Sequence, residues 1–153
     1  GLRDIYIHEG AFEGDMNTIT AKYGHWDIMT AADNELNAWH RWILKWMTDD
    51  QVHCQPVTQN QTYEIFLEPL NQPDASTRQI VIPLSNSEAL SIELRDPGKY
   101  CTEVPSDVGF SSPQGGCTQN VLVTHIDSSI GNGSGPMTIL RTERSTAVDF
   151  QMH

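Results

Sequence analysis

The chain has 153 residues, enough for one domain with a buried core. Its 20 acidic and 9 basic residues leave a formal net charge of −11. That balance excludes a Lys/Arg stripe for nucleic acid and is compatible with a secreted protein, with bound calcium, or with solubility alone. Apolar runs are strand-sized, well short of the ~20 residues of a membrane helix, so no membrane span is expected.

Residues 1–32 have little periodicity and several glycines, and read as irregular loop. His8-Glu9 does not begin a zinc-binding H-E-x-x-H helix: position 12 is Phe and no second histidine follows four residues on. Both read as loop residues. Residues 34–48, "NELNAWHRWILKWMT", are the clearest helix. Leu36, Trp39, Ile43 and Met47 (or Trp46) supply its apolar stripe, and Asp33 or Asn34 its cap. Trp39, Trp42 and Trp46 span more than one face and read as a hydrophobic helix.

From Gln51 the pattern turns to β. Strands are expected at 62–70, where Tyr63, Ile65 and Leu67 alternate with Glu64 and Glu68, and at 78–84 and 88–95, separated by a hairpin-like Ser85-Asn86-Ser87. Further strands are expected at 120–127, 137–142 and 146–150. The fold class is therefore α+β: an irregular segment and one amphipathic helix (1–50), then a β-rich, mainly antiparallel half (51–153) packed on it.

Three cysteines are present, without C-x-x-C spacing. Cys101 and Cys117 bracket a Pro/Ser/Gly-rich loop and would close it as a disulfide, leaving Cys54 odd. Asn60-Gln61-Thr62 and Asn132-Gly133-Ser134 are glycosylation acceptors in turn-like sequence. Disulfide and sequons agree on an extracellular or secreted setting.

Glu93 and Arg95 alternate onto one strand face, as do His125 and Asp127. On neighbouring strands the four would form a polar cluster, read as a structural network rather than a binding site. Asp127, Asn132 and nearby carbonyls are a candidate calcium site, although their spacing matches no EF-hand loop. Taken alone, Asp4 reads as an exposed loop carboxylate.

The order "GLRDIY" (1–6), "GHWDIMT" (24–30) and "ELNAWHRWILKWM" (35–47), then "SIELR" (91–95) and "VLVTHID" (121–127), resembles the immune-inhibitor-A-type secreted zinc metallopeptidases, a metzincin-like family. In that family G-L-x-D-x-Y follows the zinc-binding helix and W-x-x-M forms the Met-turn. The resemblance implies that Asp4 is the third zinc ligand and Met29 the Met-turn methionine. It also implies that the H-E-x-x-H segment lies upstream or on another chain, with a protein or peptide as substrate. The sequence departs from the family at Lys45 and Trp46, where Leu-Gly usually precedes Trp. Both zinc-binding histidines and the general-base glutamate are lacking here, and one carboxylate does not hold a catalytic zinc, so this polypeptide is not expected to be catalytic alone.

The leading expectation is thus the C-terminal portion of a secreted zinc metallopeptidase-like protein. The alternative is a non-catalytic extracellular structural or adhesion module in a cell-surface assembly. A carbohydrate-binding β-sandwich has only the β pattern and the tryptophans behind it.

Overall fold

The computed structural model describes residues 2, 27–29, 36–57, 61–72, 74–95, 120–131 and 134–143. Among them the architecture is mostly β: one mixed five-stranded sheet, a short α-helix and a single 3-10 turn. The strands are β1 (Val52–Cys54), β2 (Gln79–Pro83), β3 (Glu88–Arg95), β4 (Asn120–Asp127) and β5 (Met137–Glu143), and they lie in the sheet in chain order. β1 runs parallel to β2, and every other neighbouring pair is antiparallel. No described helix is long and apolar enough to cross a membrane.

The helix α1 (Ala38–Ile43) is shorter than the 34–48 that its apolar spacing suggests. Its start is set by Asn37, whose side chain accepts from the His40 N–H at 2.7 Å. Asp33 and Asn34, the expected caps, lie outside the described residues. Its end is set by Lys45, the described non-glycine residue with a left-handed backbone, φ 61°. There the Lys45 N–H returns to the Trp42 carbonyl (3.0 Å) and the Trp46 N–H to the Arg41 carbonyl (2.8 Å), the two bonds of a Schellman cap. Chain reversal at this point leaves Ile43 and Trp46 exposed while Met47 is buried. The continuous stripe expected from 36 to 47 is therefore broken into two patches.

Hairpin β2–β3 turns where Ser85-Asn86-Ser87 suggested. The Ser85 hydroxyl accepts from the Ser87 and Glu88 N–H groups, as serines do in such turns. Residues 62–70 form no strand. The stretch has no regular structure up to a lone bridge pairing Pro69 with Leu94, where the Leu70 N–H donates to the Leu94 carbonyl. Its alternation still chose a face: Ile65 and Leu67 pack on the sheet, and Phe66 between them is 89% exposed. β1, only three residues long, carried no readable pattern. Residues 146–150 lie outside the described residues.

Because side chains alternate, the register fixes two chemically different faces. Ile80, Ile82, Ile92, Val121 and Val123 make one apolar face, on which Ile65 and Leu67 pack. The opposite face carries Gln79, Ser91, Glu93, Leu122, Thr124, Ile126 and Met137. α1 and the turn at 27–29 pack against that second face. Met29 and Trp39 meet Ile126 and Met137, and Trp42 meets the buried group of Ala38, Met47 and Leu70.

Candidate functional site

The layer between α1 and the sheet is unusually polar. Asp27, Asn37, His40, Gln79, Ser91, Glu93 and Thr124 are all buried in it. Buried polar groups are costly unless hydrogen-bonded, and most of these have identifiable partners.

Asp27 is the centre of the layer, at 0% exposure. One carboxylate oxygen accepts the N–H of Met29, two residues on, at 2.8 Å. This is an Asx turn, in which a short acidic side chain mimics a backbone turn. The other oxygen accepts the N–H of Asn37 at 2.7 Å and lies 3.0 Å from Nδ1 of His40, itself 3% exposed. Asn37 also reaches the sheet, its amide nitrogen lying 3.9 Å from Sδ of Met137. The turn bearing Met29 is thereby tied to the helix cap, to a helix side chain and to β5.

A second carboxylate ties the helix to β3. Glu93 accepts the Ala38 N–H with one oxygen and the Arg95 Nε–H with the other. Ala38 N–H is one of the groups that a helix start leaves without an intrahelical partner. Gln79 donates its amide to the Ser91 hydroxyl at 2.8 Å, while its buried Oε1 accepts no bond from the described residues.

The expected polar cluster of Glu93, Arg95, His125 and Asp127 is corrected by the register. β3 and β4 are neighbours, but Glu93 lies opposite Leu122 and His125 opposite Leu90. The two pairs thus stand on opposite faces of the sheet. Glu93 and Arg95 meet each other beneath the helix. His125 instead lies 3.3 Å from Glu88, and Asp127 accepts from the Ser129 hydroxyl and N–H in the turn after β4. Those two bonds, the hydroxyl first, hold the Asp127 carboxyl below its ordinary pKa.

Met29 is half-buried in a tight turn. Asp4, Cys101, Cys117, Asn60 and Asn132 lie outside the described residues, and Cys54 is an exposed free thiol. Among the described residues no three His, Cys, Asp or Glu side chains group as metal ligands.

Sequence reading missed Asp27, Asn37 and His40. Asp27 carried a signal, since Asp followed by irregular chain favours an Asx turn. Its bonds to Asn37 and His40 come from the fold, and no sequence spacing announces them.

No protein-family model matches the chain, and neither a curated protein nor a solved structure shows significant similarity to it.

Proposed function

We propose that this chain is the C-terminal portion of a secreted zinc metallopeptidase-like protein, supplying a third metal ligand, Asp4, and a Met-turn, Met29. The observation supporting this reading is the pinned turn: Met29 sits where the buried Asp27 carboxylate joins its own turn to α1 and the sheet. A methionine meant to lie beneath a metal needs a fixed, well-packed floor, and its packing against the buried pair Ile126 and Met137 fits that need. Zinc, when bound, would polarise a peptide carbonyl and acidify a bound water. Asp4 would hold the metal, and the layer of Asp27, Asn37 and His40 would hold the turn beneath it. In this reading the fold is α+β, the irregular segment and helix completing a catalytic domain with the β half. The Cys101–Cys117 disulfide, glycans at Asn60 and Asn132 and the extracellular setting belong to the same proposal.

The test is zinc content, by elemental analysis, of protein that includes a zinc-binding segment upstream of Gly1. Zinc is expected at one equivalent, and Asp4→Ala should lower occupancy with little loss of fold. Unchanged metal content in that variant refutes the ligand role. A wild-type protein with neither zinc nor peptidase activity would turn the assignment towards a non-catalytic extracellular module.

A further inference from the structure

Among the described residues the Asp27 carboxylate meets partners from three places: its own turn, the helix cap ten residues on, and a helix side chain thirteen residues on. An ionised carboxylate only accepts hydrogen bonds, so its 3.0 Å contact with His40 calls for the tautomer with the hydrogen on Nδ1. His40 is anchored in turn by its helix, where Asn37 accepts its backbone N–H. The Met29 N–H donates to Asp27 Oδ1 across a single intervening residue, so displacing the carboxylate loosens the turn that carries the methionine.

We propose that Asp27 and His40 form a latch that fixes the position of Met29, acting through Nδ1 of the imidazole. Both are positioning residues. The latch stands on the geometry alone; its consequence for zinc rests on the reading proposed above. Partners that orient a metal's ligands commonly change metal affinity by about 10–100-fold when removed, and a support acting through the methionine beneath the metal belongs at the low end of that range.

The experiment separates the two ring nitrogens. His40→Asn keeps an N–H donor near the place of Nδ1 and removes Nε2, whereas His40→Gln places its amide near Nε2 and His40→Ala removes both. The first readout is the methyl NMR signal of Met29 in the 153-residue chain, assigned with Met29→Leu among the five methionines. The second is zinc affinity, measured by competition with a chelator, in protein that includes the upstream zinc-binding segment. His40→Asn should keep the wild-type Met29 signal and zinc affinity. His40→Gln and His40→Ala should displace the signal and weaken zinc by about tenfold or more. An unmoved Met29 signal in His40→Ala overturns the latch, and so does a His40→Asn protein displaced as far as His40→Ala. Failure of wild-type protein to bind zinc would overturn the metallopeptidase reading alone, since the Met29 signal reports the latch without metal.

Discussion

Asp27→Ala removes one acceptor from three described donors at once. The Asn37 N–H and His40 Nδ1–H are buried, and the Met29 N–H is in a half-buried turn. A buried donor left without a partner costs about 1–3 kcal/mol, and one that water can reach costs less. The carboxylate's own burial cost is recovered, but removing one member of a buried polar group is usually dominated by the partners left behind. The sum is a loss of about 3–5 kcal/mol, a large part of the roughly 5–15 kcal/mol that keeps a domain folded. At about 2–4 °C per kcal/mol for a chain of this size, the melting temperature should fall by about 6–20 °C. Urea unfolding followed by tryptophan fluorescence and far-UV circular dichroism measures the change: the midpoint should drop while the slope stays constant. Asp27→Asn, which keeps one acceptor but turns an amide NH₂ towards a donor, should lie between wild type and Asp27→Ala. A loss below about 1 kcal/mol for Asp27→Ala would mean that water serves these donors equally well, and the pinned turn would have to be abandoned.

Lys45→Gly should stabilise the protein by about 1 kcal/mol, because φ 61° penalises a side chain and spares glycine; Lys45→Ala should bring no such gain in the same urea assay. The Ser76 hydroxyl and N–H bind the Glu68 carboxylate and hold its pKa below the ordinary glutamate value. The bonded carboxylate therefore adds stability above about pH 4.3, the unfolded value, and loses it as pH falls through the lower folded one. Glu68→Gln should accordingly be less stable than wild type at neutral pH, with the gap closing in acid; a gap independent of pH contradicts the bonding.

The β half was largely legible because its strands are short apolar runs or alternations bounded by polar turns. β2, β3 and β4 were each placed to within a residue: β3 alternates Leu90, Ile92 and Leu94 with polar residues, while β2 and β4 are short β-branched apolar runs between polar turns, buried on both faces. The stretch at 62–70 shows the limit of that signal. Alternation reports which side chains face the core, and Ile65 and Leu67 do, but it does not report whether the backbone finds a partner strand. The helix end was misplaced for a similar reason. Apolar spacing continues to Met47, while the Schellman bonds reverse the chain at Lys45, three residues before the expected stop at 48. Lys45 gives no warning, as lysine is an ordinary helix former and the strain appears only in its backbone. The polar layer was half legible: Glu93 and Arg95 could be paired on one strand, but which face of β4 they meet depends on a register that no single strand encodes.

A six-residue helix is not stable by itself; helices shorter than about 12 residues are marginal in water. α1 persists because its ends are held from outside, by Asn37 at the cap, by Glu93 on the Ala38 N–H and by the Schellman turn. The same bonds carry the Met29 turn, since Asp27 attaches to the backbone of that cap and to a side chain one turn further on. Helix and turn should therefore loosen together. A change in β3 that frees the Ala38 N–H would reach Met29 without touching it, by weakening the helix on which Asp27 is seated. Position and stability at this site are one property, set where two buried carboxylates meet the first turn of a helix.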